Sequence, residues 1–367
     1  METVTDYRSR KTQYVSDDKA RVKEVIFFDN SRFKLTYDEL GRVKTETNEL
    51  NQTTTYEYDA KGQVKAVINA KKERTEFEYD HRRNLIRVTD ALTQSTSFKY
   101  DAYGQRVETT WSDGDKVSMG YDRFGRLTNS QDENLYSTGY TYDNLSQITQ
   151  IKQPKQLDAN GQLQDTLTHY TYDNLSRLKQ IEDANKKVTE FEYDEFNRPT
   201  TTILPQGQRN LTDYNKFGQV KAATDFNGDT INYSYDPFGR LDGKTFTNPS
   251  IPPVSYTYDP VTTNLETVTD GRGTCRYGCD NYDRLETVTT PDEKVVRYGY
   301  DLLNNITSLV TPTGTITYGY DSLNRLDTVK ESTRVLADYD YNAVGNLSQN
   351  KFANGSVEKR KYAPRNP

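Results

Sequence analysis

Two histidines are all the chain has among 367 residues, so any acid–base chemistry must be built around one of them. His81 lies in "YDHRRN", where a solvated turn residue is the plain reading. His169 stands in "LTHYTYDNLSR", close to Tyr170 and Arg177. A His or Tyr base beside an arginine could remove the proton α to a uronate carboxylate, which is how a polysaccharide lyase works by β-elimination. His169, Tyr170 and Arg177 are therefore the candidate catalytic residues, set against a plainer reading of His169 as a polar residue on a strand. Tyrosine rows could also stack on sugar faces and bind polysaccharide without any reaction. Two histidines give little material for a Ser-His-Asp triad or a zinc site.

Acidic loops raise a second chemistry. "DFNGD" (Asp225 to Asp229) and "SDGDK" (Ser112 to Lys116) suggest calcium, yet neither has the spacing or closing glutamate of an EF-hand, and acidic Asn-Gly turns are what hairpins need. No cofactor or metal is expected, with calcium the lesser alternative. Cys275 and Cys279 in "CRYGCD" fall on one expected strand, about 13 Å apart and beyond disulfide reach. Free thiols are expected, with Cys279 a small buried substitute in a slot that other copies fill with tyrosine. Asn-x-Ser/Thr sequences at Asn144, Asn174, Asn305 and Asn346 follow from turn chemistry.

The elements that carry these residues recur at a fixed interval. Tyr37, Tyr58, Tyr79, Tyr100, Tyr121 and Tyr142 are spaced by 21; Tyr172 follows after 30, and the series continues through Cys279 to Tyr362. Self-similarity at such a period marks a repeat architecture. Two residues before the tyrosine a second ring is common, as in Tyr56, Phe77 and Phe191, with a polar residue between, so the segment reads as a strand with its rings on one face. Asp, two variable residues and then Gly, Asn or Ser follow, as at Gly41, Gly125, Ser146 and Asn197: the tight turn of a hairpin, whose Asp accepts a turn N–H. The second strand opens with Arg or Gln and an aliphatic residue, and a further apolar residue often lies three later. That spacing requires either a bulge or partial cover on both faces.

Composition restricts the partners. A net charge of -6 with mixed signs offers no basic face, so nucleic acid is excluded as an expectation. No apolar run is long enough for a membrane helix, and "METVTDYRSRK" has no signal-peptide apolar region. Only 33% of residues are hydrophobic, but 29 Tyr and 13 Phe supply flat area that can bury a ring and leave its hydroxyl in water. A lone hairpin cannot hold together in water, so neighbours must stack edge to edge. The expectation is all-β: one array over residues 1–367 of about seventeen 21-residue hairpins, degenerate at 1–36 and carrying a looped insertion near 152–164. Roughly 34 strands at about 4.8 Å each would make one continuous antiparallel sheet some 160 Å wide, wound into a spiral barrel or hollow shell.

"YDRFGRL" at Tyr121 and "YDPFGRL" at Tyr235, repeated in register along nearly the whole chain, resemble the YD repeat of Rhs proteins, Tc toxin BC components, wall-associated polymorphic toxins and teneurins. The resemblance implies a spiralling β-sheet cocoon around a toxin or effector domain, and a secreted or cell-surface location. Those toxins end their repeats in a self-cleaving Asp-Pro-x-Gly-Leu core. Asp236-Pro237-Phe238-Gly239-Arg240-Leu241 looks alike but reads as an ordinary repeat turn, and no core or toxin domain is recognised. The expected function is a structural shell segment that encloses or displays a partner, with a secreted carbohydrate binder or lyase as the alternative.

Overall fold

The computed structural model describes residues 1–157 and 163–363; residues 158–162 and 364–367, and the side chains of 155–157 and 163–165, lie outside the description. The described residues form thirty-four β-strands of one sheet and no helix. The all-β hairpin reading is correct. The chain divides into two compact units, one comprising Met1–Gly104, Thr109–Asp115 and Gly278–Pro367, the other Gln105–Glu108 and Lys116–Tyr277. Both are built from the same hairpin, each strand antiparallel to its sequence neighbours.

Thr53–Tyr58 and Val64–Ile68 show the unit. Between them the Asp59 N–H donates to the Gln63 carbonyl at 2.9 Å and the Gly62 N–H to the Asp59 carbonyl at 3.1 Å. One Asp59 carboxylate oxygen accepts the N–H groups of Lys61 and Gln63 at 2.8 and 2.9 Å. Gly62 takes a φ of 85°, the left-handed residue that ends a three-residue hairpin loop. Ser146, Ser176, Asn197 and Asn324 hold the same conformation where glycine is replaced. The opposite end, between Thr47 and Thr53, closes in the same way: Asn48 carries the hydrogen bonds of Asp59, and Asn51 is left-handed.

Strand register decides the question left open by spacing. Tyr58 pairs with Val64, Glu57 with Ala66 and Tyr56 with Val67, so Lys65 is an extra residue opposite no partner. A bulge therefore puts Val64 and Val67 on the same face as both rings. The same shift stands beside Tyr37, Tyr79, Tyr142, Tyr235 and Tyr341. One face of the sheet is aromatic and aliphatic, the other carries residues such as Glu57, Glu76 and Arg87.

Among the described residues no second layer covers either face. Among the described residues no large side chain is fully buried, and the accessible surface is 23206 Å². A compact protein of 42.3 kDa would expose about 15,000 Å². The sheet is a wall one strand thick, stabilised by contacts along it.

The insertion differs from the looped expectation. It lengthens both strands of its hairpin, Ile148–Leu157 and Leu163–Tyr172, to ten residues each. Pairing is irregular between Gln153 and Gln156, where Pro154 has no N–H to give. The remainder of that segment, 158–162, lies outside the described residues.

Ala66 is 0% exposed although it lies on the charged face. Its cross-strand neighbours are Glu57 and Glu76, and the Arg74 guanidinium bridges both carboxylates at 2.7 to 2.8 Å, closing over the methyl group. Ala66→Leu is expected to break that roof and cost about 1–3 kcal/mol, read as a lower midpoint in urea unfolding. An unchanged midpoint would mean that the roof opens freely.

Candidate functional site

The repeat tyrosine does more than bury its ring. The ladder between Val43–Thr47 and Thr53–Tyr58 pairs Thr45 with Thr55 and stops there, because the bulge turns Val43 out of register. Tyr58 donates its hydroxyl to the freed Val43 carbonyl at 2.7 Å. Identical bonds run from Tyr37 to Val22, Tyr142 to Leu127, Tyr193 to Leu178, Tyr300 to Leu285 and Tyr341 to Leu326, at 2.6 to 2.8 Å. The sequence expectation of a solvated hydroxyl is corrected: each hydroxyl satisfies a backbone acceptor that the neighbouring bulge has orphaned. Burial in this position pushes the Tyr58, Tyr172 and Tyr300 hydroxyls above the usual tyrosine pKa.

Arginine ties turn to ring. In "YDELGR" the Arg42 guanidinium meets the Asp38 carboxylate at 2.6 Å and lies over the Tyr58 ring at 4.4 Å. Arg21 over Tyr37, Arg284 over Tyr300 and Arg325 over Tyr341 repeat this at 4.3 to 4.5 Å, always sixteen residues apart. A guanidinium can fork onto a carboxylate and stack on a ring at once, which an ammonium cannot. Arg177 and Arg284 also reach the next turn, donating to the carbonyls of Asp194 and Asp301 and to the side chains of Asn197 and Asn304. Where glutamine replaces arginine, Gln105 and Gln219 instead reach the carbonyls of Gly125 and Gly239. The Arg21 guanidinium holds the Asp17 carboxyl down to about 2. Likewise Arg177 keeps Asp173 below the usual carboxylate range. Sequence reasoning missed this relay, although its signal was present in the Arg-to-Tyr interval of sixteen that recurs in most of these pairs, with eighteen from Arg240 to Tyr258.

Within the first unit, hairpins far apart in sequence dock turn to turn. Asp283 takes salt bridges from Arg8 at 2.6 Å and Arg10 at 3.1 Å. The Phe28 and Tyr282 ring centroids are 4.5 Å apart, with the ring planes at 47°. Lys71 reaches Asp321 at 2.8 Å across 250 residues, about twelve periods. Desolvation acts to raise the Asp321 pKa, but hydrogen bonds from Arg325 and Lys71 outweigh it and hold the carboxyl well below the usual range. Burial first, then the Asp29 carboxylate, pushes the Tyr282 hydroxyl up to about 12. The pattern is consistent: turns of the Tyr-Asp type from the later hairpins sit on the opposite turns of the earlier ones.

The sequence candidates do not assemble into a reactive group. His169 and Tyr170 are consecutive on one strand, paired with Glu182 and Ile181, so they point to opposite faces. Arg177 is engaged by Asp173 at 2.6 Å and stacked on Tyr193 at 4.8 Å. His81 is an exposed turn residue. In "DFNGD" the Asp225 carboxylate accepts the N–H groups of Asn227 and Asp229, as Asp59 accepts those of Lys61 and Gln63. Among the described residues no group of three or more His, Cys, Asp or Glu side chains is arranged to hold an ion. Cys275 and Cys279 form no disulfide, as expected, and both are half-buried. Asp236 pairs with Arg240 at 2.7 Å and bonds the turn N–H of Phe238, the same arrangement as in its neighbours. No helix among the described residues is long and apolar enough to cross a membrane.

Comparison with known proteins matches residues 5–110 and 109–224 to the teneurin YD-shell and residues 280–316 to the RHS repeat. Among solved structures the chain is similar to TcdB2-TccC3-Cdc42, at 15% identity and a TM-score of 0.51, covering 95% of this chain and 25% of that one. TcdB2-TccC3 without its hypervariable C-terminal region aligns at 16% identity and 0.51, covering 94% and 24%. A Photorhabdus luminescens Tc holotoxin pore aligns at 15% and 0.51, covering 94% and 24%. The likeness to these structures is one of fold, and this chain spans about a quarter of each. No curated protein matches the chain.

Two measurements test the relay. Tyr58→Phe leaves the Val43 carbonyl without its donor and should lower stability by about 1 kcal/mol in urea unfolding. Arg42→Lys, which keeps the charge, should also be destabilising if flat stacking matters; a wild-type midpoint would show that charge alone suffices. Stability should also follow pH from both sides. Carboxyls such as Asp17, at about 2 when folded, stabilise fully above their unfolded value near 3.9, and that contribution disappears as pH falls toward 2. Tyr282, at about 12 when folded, contributes below its unfolded value near 10 and loses that contribution as pH rises through 12. Thermal midpoints should therefore be flat from about pH 5 to 9 and fall outside that window. Midpoints that stay level at both extremes would remove the relay from the stability account.

Proposed function

Since the chain belongs to the teneurin YD-shell and Rhs repeat family, we propose that it is a structural segment of a YD-repeat shell whose wall encloses a partner domain, in the manner of the toxin-bearing members. The observation that carries this reading is a sheet one strand thick whose hairpins meet their own predecessors again after 250 residues. A wall without a second layer has no packed core to serve; its inner and outer surfaces are what it offers. Its aromatic face is half-buried by lateral contact alone, which leaves ring surface available to an enclosed chain. The partner in this reading is a toxin or effector domain belonging to the same longer protein. A domain of about 100 residues has a radius of gyration near 13 Å, a size that a shell of this strand number can accommodate.

The same family reading supports a location outside the cell. It also assigns the recurrent chemistry of the repeat to construction: arginine, aspartate and tyrosine engage one another, which ties the side chains of the relay to the wall. The lyase alternative gains no support from this geometry, because the Tyr172 and Tyr193 hydroxyls and the Arg177 guanidinium already have protein partners.

Small-angle scattering of the purified chain tests the wall. A thin-walled particle gives a pair-distance distribution weighted to long distances. The bell-shaped distribution of a filled globule of the same mass would overturn the shell reading.

A further inference from the structure

Near-equivalent hairpins leave one thing open: how many of them separate two turns that meet within the first unit. One hairpin is about 10 Å of sheet, so a meeting one hairpin earlier or later changes the path by about a tenth over about twelve hairpins. Such a change is small beside the ordinary scatter of twist from one strand pair to the next. The bond from Lys71 to Asp321 does not decide it either, because Asp301 holds the same place in the preceding Tyr-Asp turn. Something particular to these turns must choose.

Two turns break the pattern of their neighbours. The fourth residue of a Tyr-Asp turn is the left-handed one, usually Gly, Ser or Asn; Asp283 stands there with a φ of 64°, and among the described residues it is the only acid in that place. It faces the opposite turn of residues 6–10, and among the described residues no other opposite turn has arginine as both its third and fifth residue. Arg8 and Arg10 both bridge the Asp283 carboxylate, and they also donate to the carbonyls of Asp280 and Asn281. On the other side of this turn, Tyr282 packs on Phe28, in the opposite turn of residues 27–31 whose third residue is Asp29. Residues 280–284 are therefore seated between a basic turn and an acidic one.

We propose that Asp283, held by Arg8 and Arg10, is the key that fixes which hairpins meet. A slip in one direction puts residues 301–305 in the place of 280–284. Asn304 then stands opposite both arginines, Leu303 replaces Tyr282 against Phe28, and Lys71 meets Asn342 where it had Asp321. Both ionic contacts and the ring pair are lost. A slip in the other direction carries Asp283 onto Asp29 and leaves Arg8 and Arg10 opposite Thr262, while Lys71 keeps an acid at Asp301. Like charges then meet, which disfavours a wrong register as it disfavours a wrong partner. Only the observed register gives Arg8, Arg10, Lys71 and Asp283 opposite charges together. The inference goes beyond the enclosing role and holds whatever the wall encloses.

Carbodiimide coupling of the full chain, read by mass spectrometry of the joined peptides, tests this, because the reagent links an amine only to a carboxylate in contact with it. The wild type should link Lys71 to Asp321. Asp283→Arg repels Arg8 and Arg10 and gives Asp29 a partner, so the contact should slip by one hairpin. The ratio of Lys71–Asp321 to Lys71–Asp301 links should then fall by about 10-fold or more. The turn accepts the change, since Arg83 holds the same left-handed place in its own turn, and circular dichroism checks that the strands persist. Adding Arg8→Glu and Arg10→Gln to Asp283→Arg restores an opposite charge and should return the link to Asp321. A link that stays on Asp321 in Asp283→Arg overturns the proposal. So does the loss of both links, which would mean a pair that holds turns together without choosing among them, and so does a rescued chain whose link stays on Asp301.

Discussion

A hydroxyl placed on an orphaned carbonyl is the interaction on which this sheet depends. Each hairpin needs a bulge, because its aliphatic residues are spaced so that only an extra residue brings both onto the aromatic face. Each bulge frees a backbone acceptor, and a buried acceptor without a donor costs more than most contacts return. The repeat tyrosine removes that cost across the neighbouring strand, and its ring covers the site from water. Bulge and tyrosine are thus one device. Each is unfavourable without the other, and together they fix the register of three strands.

Arginine then joins successive hairpins. Asp38 closes its own turn through backbone N–H groups and orients Arg42, whose plane covers Tyr58 in the following hairpin. Both charged groups are half-buried at the surface and keep some contact with water, so the ion pair by itself contributes modestly. Its value lies in fixing the direction of a flat group that packs. Repetition turns this small increment into a wall, in the way that nearest-neighbour terms stabilise other repeat arrays. It also explains how a chain that is one-third hydrophobic can be ordered without a packed core: aromatic rings and arginine planes supply the contact area that aliphatic side chains supply elsewhere.

The hairpins were legible because period and turn chemistry are local properties. Gly41, Ser146 and Asn197 announced left-handed turns, and the alternation of Tyr56 and Tyr58 announced a strand. The choice between bulge and double cover was not legible, since a spacing of three fits both until the pairing of Tyr58 with Val64 is seen. The insertion was misread for a similar reason. A break in the period suggested a loop, because insertions in regular arrays usually form one, whereas pairing with a partner strand carried both sides onward as longer strands. His169, Tyr170 and Arg177 looked like a group only because they are near in sequence; alternation and the demands of Asp173 separate them.

What the sequence determined by itself is the hairpin, its number and its two turns, because each rests on φ preferences, short hydrogen bonds and side-chain alternation within some twenty residues. Tertiary structure decided which turns meet. Phe28 lies against Tyr282 and Lys71 against Asp321 because strand twist and bulges, summed over about twelve hairpins, bring those edges together. No local spacing encodes that sum, since a small rotation per strand leaves no mark in any one repeat and acquires a consequence only where the ribbon returns to itself.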